Sequence, residues 1–395
     1  MSRSSSLLST TILALGIICA PSLLMPAANA TPLLSAAEAS QSAKRIRPIR
    51  QPKIQIALLL DTSGSMDGLI DQAKSQLWML VNELGEGEKN GMMPVIELAL
   101  YQYGNDSISA SKGYVEQILP LTTDLDGVSE KLFALSTNGG QEYAGTVLTR
   151  ALDELEWSAH SDDMRLMIIA GNEPFTQGPV SYQSACAIAR KNDVLIDTIH
   201  CGNEQTGIEG KWKAGADCGG GMYMVINQDE KSVYVPSPYD DEIQKKNEAL
   251  NKTYYGYGAS GRVQKQRQMA QDANAKSMSP KSVIARTKSK SSANYANESW
   301  DIVDGYGKDA ESIIELEDTQ LPEEMRGLSK EERITFIEEK TTERKTIQIE
   351  IKELNKKRDA HVAKIKKDMA ASNTIDEIVV NGARTQAEAK GYVFH

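Results

Sequence analysis

Apolar positions along this chain alternate between two rhythms. Residues 53–60 (KIQIALLL) form a nearly unbroken apolar run, as expected of a strand buried on both faces of a parallel sheet. The next segment, 67–84, changes to helical spacing, with Leu69, Ile70, Ala73, Leu77, Leu80, Val81 and Leu84 on one stripe. The alternation then repeats. Strands are predicted at 95–104, 164–171 and 194–202, with a short last one at 222–226; helices are predicted at 125–136, 143–155 and 181–192. Segment 114–122 also reads as a strand, and Pro120, which has no N–H to give to a ladder, assigns it to a sheet edge. Strands alternating with amphipathic helices predict a doubly wound α/β fold with a mostly parallel sheet covered on both faces. Ligands of such sheets sit at the carboxyl ends of the strands, where the strand order reverses.

The texture changes beyond residue 233. Residues 234–297 read as a linker, rich in turn formers, whose basic stretch (262–290, with Asp272 its one acid) is expected to be solvated. Segment 293–307 (ANYANESWDIVDGYG) has enough aromatic and aliphatic residues to dock on the α/β domain. From 298 to 395 the chain reads as a helical extension. A long helix at about 329–371 opens with Ser329 and Glu332 in capping-box relation, and Ile347, Ile351, Leu354, Val362, Ile365 and Met369 follow at near-heptad spacing. Arg358 interrupts that seam, so docking in an antiparallel hairpin or on the α/β domain is favoured over a homodimeric coiled coil.

The first thirty residues carry Arg3, an apolar run and then Ala28-Asn29-Ala30, the pattern of a secretory signal peptide. Thr31 is then the expected mature N-terminus and 31–52 a linker, so the protein is read as exported, periplasmic or secreted. No later stretch is long and apolar enough to span a bilayer. Loss of Arg3 moves the formal net charge from −10 to −11. An acidic chain repels nucleic acid and anionic membranes, which argues against both as main partners. Three cysteines remain, an odd count for an oxidising compartment. Cys201 and Cys218 flank a Gly-rich loop and are expected to close it, with Cys186–Cys201 as the rival pairing and Cys186 otherwise packing as a small hydrophobe.

The candidate chemistry lies at two strand ends. After the first strand, Asp61-Thr62-Ser63-Gly64-Ser65 places a carboxylate and two hydroxyls on alternate residues of a tight loop, three oxygens for a hard divalent cation. The bland reading is an N-capped helix start, with Ser65 or Asp67 as the cap. The Asp-x-Ser-Gly-Ser-Met pattern after an apolar strand resembles the metal-ion-dependent adhesion site of the von Willebrand factor type A family, and the resemblance spans about 53–233. It implies Mg²⁺ or Mn²⁺ held by Asp61, Ser63 and Ser65, joined by a Thr from a second loop and an Asp from a third. It also implies that an acidic group of a protein partner completes the shell, in adhesion or complex assembly.

The chain departs from that pattern in both other loops. Gly171 stands where the family has the third-loop aspartate, in Ala170-Gly171-Asn172-Glu173-Pro174, and Gln141-Glu142-Tyr143 stands where the second-loop Thr is expected, with Thr146 a turn too far along. Three readings follow. Glu142 binds the cation directly and, with Asp61, neutralises it; Asn172 and Glu173 take over the third-loop role through water; or the loops are merely capped and the metal is lost. Gln141, Tyr143, Glu173, Phe175 and Gln177 are the expected partner-binding rim. Catalytic motifs are lacking, and the expectation is a binding module, not an enzyme. Asp61 with Glu142 could instead serve a metal-assisted hydrolase, and His200 could be a base or a ligand, although a lone histidine is more often structural. The remaining alternative is a metal-free scaffold working through the C-terminal helical extension.

Overall fold

The computed structural model describes residues 50–226, 234–368 and 375–394, so the signal peptide and most of the 31–52 linker lie outside the described residues. The central strand β1 (Lys53–Asp61) is flanked in parallel by β2 (Val95–Tyr103) on one side and β4 (Met164–Gly171) on the other. Strand β3 (Val115–Thr122) runs antiparallel on β2, while β5 (Leu195–Cys201) and β6 (Gly220–Ile226) continue in parallel beyond β4. The order β3-β2-β1-β4-β5-β6 is doubly wound, with β3 at an edge as Pro120 required. The expected fold class is the observed one.

Side chains of β1 alternate between two cores. Ile54, Ile56, Leu58 and Leu60 join the apolar faces of α1 (Asp67–Gly85) and α2 (Leu125–Ala134). Ala57 and Leu59 face the other layer, α3 (Ala144–Glu154) and α4 (Tyr182–Lys191). The Gly-rich stretch expected as a loop is two short helices, α5 (Glu204–Glu209) and α6 (Trp212–Gly219), and α6 seats Trp212 in that second core.

Residues 234–290 are not a linker. They form α7 (Asp240–Asn251), α8 (Gly261–Met278) and α9 (Pro280–Lys290), which pack onto the α1–α2 face. The basic residues lack an apolar rhythm because several of them are buried and paired. Arg286 is 1% exposed, lies over the Trp78 ring and bonds Asp126 at 2.7 Å as well as Asp272. Lys290 is fully buried between Asn247 (2.9 Å) and Asp272 (2.9 Å). Buried cations are tolerated where carboxylates and amides satisfy them, which a hydropathy pattern does not reveal.

Residues 293–303 dock as expected, with Tyr295 and Trp300 in the main core, and lead to α10 (Ile302–Lys308) and α11 (Ala310–Ile314). The long helix is α12 (Lys330–Asp368), opened by the reciprocal capping bonds Ser329 N to Glu332 Oε2 (2.8 Å) and Glu332 N to Ser329 Oγ (3.3 Å). Its seam packs within the chain: Ile347 and Ile351 join the main core, Leu354 packs on Ile243 of α7, and Arg358 bonds Asp240 at 2.8 Å. Arg344, 4% exposed, is gripped by Asp301 and Asp304 at 2.7 Å. Helix α13 (Ile375–Ala389) returns to α1 and β6, placing Val379, Ala383 and Ala387 in the same core, and Val393 bridges Glu88. The helical extension therefore shares its core with the sheet and is not an appended arm.

Candidate metal centre

Strand order reverses between β1 and β4, and the first and third loops leave those two strands side by side, with Leu60 paired to Ala170. Asp61, fully buried at the end of β1, accepts from Ser63 N through Oδ1 at 2.8 Å. The following helix has Met66 as its N-cap residue and no side-chain cap, so neither Ser65 nor Asp67 serves the capping role. The Ser63 and Ser65 hydroxyls lie 3.4 Å apart, and Asn172 Nδ2 donates to Ser65 Oγ at 3.1 Å. First and third loops thus meet through the serine pair.

Glu142 enters from the second loop. It is 7% exposed, its carboxyl group contacts that of Asp61, and the Ser63 hydroxyl lies within hydrogen-bonding reach of both. Its backbone N–H donates to Gln177 Oε1, which ties the second loop to the third. Burial, then the adjoining Asp61 carboxyl, pushes Glu142 up to about 9; burial also raises Asp61. Burial and the like charge of the neighbouring carboxyl both disfavour ionising the pair together. Three oxygens of this cluster, Asp61 Oδ2, Glu142 Oε2 and Asn172 Oδ1, are buried and lack a hydrogen-bond partner. Buried oxygens left in that state are costly, and a divalent cation satisfies such a set.

The structure also gives a reason for the missing third-loop aspartate. A Cβ placed on Gly171 would lie 2.5 Å from Tyr103 Oη, 3.0 Å from Asp61 Oδ2 and 3.1 Å from the Trp212 ring. Tyr103, buried at the end of β2, donates from its hydroxyl to Ala170 O at 2.9 Å, and Trp212 Nε1 donates to Glu173 O at 2.8 Å. The space that a third-loop carboxylate would need is filled by these rings. On the opposite side Gly104, at φ +80°, leaves room for Glu142: a Cβ there would stand 2.8 Å from both Asp61 Oδ1 and Glu142 Cγ. Asn105 then pins the first and second loops, donating to Thr62 O (3.2 Å) and Ser136 O (3.0 Å). Sequence reasoning missed Tyr103, Gly104 and Asn105; their signal was Tyr-Gly-Asn at a strand end, a tight turn beside the site.

Residues 53–226 have the von Willebrand factor type A fold. The decisive observation is the doubly wound order combined with the Asp-x-Ser-Gly-Ser loop at the end of its central strand. No family model and no curated protein matches the chain. Similar solved structures include the conserved hypothetical protein BatB from Bacteroides thetaiotaomicron, 16% identical over 44% of this chain and 90% of its own, with a TM-score of 0.33. Others are the SpRpn10 VWA domain (14% identical, 45% and 90% covered, TM-score 0.35) and the vWF domain of the type V pili tip protein Mfa5 from Porphyromonas gingivalis (11% identical, 45% and 90% covered, TM-score 0.32). These likenesses span less than half of this chain, and at such scores no partner or chemistry follows from them.

Several expected site residues stand elsewhere. Phe175 is not on the rim: it is 1% exposed and packs between Tyr182 (5.3 Å) and Trp212 (4.8 Å), an anchor that holds the third loop down. Gln141 and Glu173 are exposed, whereas Tyr143 and Gln177 are half-buried, Tyr143 edge-on to Tyr114. Thr146 faces Gly113 and does not reach the cluster. His200 is 2% exposed, stacks near Trp212 at 5.8 Å, and burial lowers its pKa. No group of three or more His, Cys, Asp or Glu side chains suited to a metal occurs among the described residues, so His200 does not join Asp61 and Glu142. The Cys201–Cys218 and Cys186–Cys201 pairings are both overturned: Cys186 of α4 is bonded to Cys218 of α6, 5.8 Å apart at Cα, and Cys201 is free and buried. Helices α4 and α6 pack side by side over the sheet, whereas Cys201 lies within β5 and is turned into the other core.

Proposed function

We propose that this protein is an exported protein-binding module whose A-type domain uses a divalent cation, Mg²⁺ or Mn²⁺, at the end of β1 for adhesion or complex assembly. The three unpartnered buried oxygens of Asp61, Glu142 and Asn172, gathered from three loops beside the Ser63 and Ser65 hydroxyls, carry this reading. They form an all-oxygen donor set of the hardness that Mg²⁺ and Mn²⁺ favour. Asp61 and Glu142 supply the charge that balances the ion, with Ser63, Ser65 and Asn172 as neutral donors. The ion would supply a fixed positive charge linking the loops. Gln177 and Asn105 hold the second loop in place, and Phe175 and Trp212 hold the third. Export is supported by the leader pattern and by the Cys186–Cys218 bond, which an oxidising compartment maintains. No helix among the described residues is long and apolar enough to cross a membrane.

Calorimetric titration of Mg²⁺ and Mn²⁺ into metal-stripped protein tests the reading, with Asp61→Ala and Glu142→Gln alongside. One ion per chain, lost in both variants, is the expected result. If Glu142→Gln binds as wild type does, the second loop is not a ligand; if wild type binds no ion, the metal reading fails.

A further inference from the structure

The charge of the loops around the cation site is one-sided. Those that follow β1, β2, β4 and β5 and that precede α3 bring Asp61, Asp67, Asp106, Glu142, Glu173, Glu204 and Glu209 to this end of the sheet, against Lys112 and Lys211. Lys112 ends the turn before β3 and lines a groove with Tyr143, Thr146 and Arg150. Asp106 Oδ2 stands against the second loop, 3.7 Å from where a Cβ of Gly139 would be, and the Asp67 carboxylate accepts from Thr137 Oγ1. Glu173 is exposed on the third loop and acts electrostatically on both Asp61 and Glu142. Acidity alone would be an ordinary solvated surface. Here it surrounds a fully buried Asp61 whose Oδ2 has no partner, and Asn172 Oδ1 beside it is also unpartnered. A divalent cation is offset by Asp61 and Glu142 together, so with the ion bound the rim of Asp67, Asp106 and Glu173 still leaves this face negative.

We infer that the protein partner of this face presents a basic side chain, lysine or arginine, and not the carboxylate that the family pattern implies. The inference builds on the proposed binding role of the face, but the sign of its charge is the same with or without the metal. A partner carboxylate brought to the loops would meet Glu173 and Asp106 within a Debye length of about 8 Å at physiological salt. A lysine or arginine would be drawn to them and could donate to the exposed Glu173 carboxylate.

Two blocked hexapeptide amides, identical except for a central Lys-Lys or Glu-Glu pair, test this against the full chain. Backbone amide shifts of 171–178 are read at low and at physiological salt, with and without Mg²⁺. The lysine peptide should shift these amides, with an affinity at least about tenfold above that of the glutamate peptide and falling as salt rises. Glu173→Gln combined with Asp106→Asn should weaken the response several-fold while Mg²⁺ binding persists. Preference for the glutamate peptide, or no shift with either, overturns the inference even if Mg²⁺ binds. A lysine-peptide response in protein that binds no Mg²⁺ sustains it while the metal reading falls.

Discussion

Restoring the family's aspartate by Gly171→Asp should damage this protein instead of improving its site. The new Cβ would lie 2.5 Å from Tyr103 Oη and 3.1 Å from the Trp212 ring, both distances below ordinary contact. Neither ring is free to yield, because each is about 1% exposed and hydrogen-bonded to the third-loop backbone, at Ala170 O and Glu173 O. Overpacking of this kind costs about 1–3 kcal/mol. A third carboxyl next to Asp61 and Glu142 adds a buried group that must stay protonated or remain unpaired, for a total of at least about 3 kcal/mol in metal-free protein. Urea denaturation followed by far-ultraviolet circular dichroism measures this as a lower midpoint at unchanged slope. Gly171→Ala separates the terms, since it retains the steric cost and omits the charge; adding Tyr103→Phe, which removes the hydroxyl, should recover part of it. A Gly171→Asp protein with wild-type stability would refute the argument. So would one that binds Mg²⁺ in the absence of Glu142, because the space would then have been available to a third-loop ligand all along.

Other expectations concern the scaffold. Cys186→Ser opens a 32-residue disulfide loop and should lower stability by about 3–4 kcal/mol, an effect reproduced in wild type by reductant and absent from the variant. Arg344→Met leaves Asp301 and Asp304 facing each other without their cation and should cost about 3–5 kcal/mol, read as a fall in the thermal midpoint; an unchanged midpoint would show that α12 is held by its apolar seam alone. Asp197, 1% exposed and bonded by Met222 N and by Gln386 of α13, is pushed up to about 6 by burial. Its folded value lies above its unfolded one, so the protonated form is favoured on folding. That contribution is complete below pH about 4 and is lost as pH rises through about 6, to the extent of roughly 3 kcal/mol. Asp197→Asn should therefore flatten the stability profile between those values, as measured by denaturant midpoints across pH; a wild-type slope in the variant would assign the titration to another group.

The sequence alone determined the sheet. Continuous apolar runs alternating with helical stripes can satisfy their burial only as parallel strands between two helical layers, and each strand and helix from β1 to α4 lies within two residues of its expected place. It also put Asp61, Ser63 and Ser65 at the end of β1 and Asn172 at the end of β4, because the residues that follow each strand are consecutive in the chain. Glu142 was legible as a newcomer carboxylate, and the structure brings it against Asp61. Pairings made by packing were decided only by the tertiary structure. Which cysteines meet depends on how α4 and α6 lie across the sheet, and Phe175, in a polar turn-rich stretch, is turned inward by Trp212 from a helix that the glycine-rich sequence concealed. The basic stretch at 262–290 was illegible for a related reason. Charge near charge is local information, whereas the burial that makes Arg286 and Lys290 structural depends on Asp126, Asp272 and Asn247, which other helices supply. A one-dimensional pattern records what each residue prefers; only the fold sets which partner is there to satisfy it.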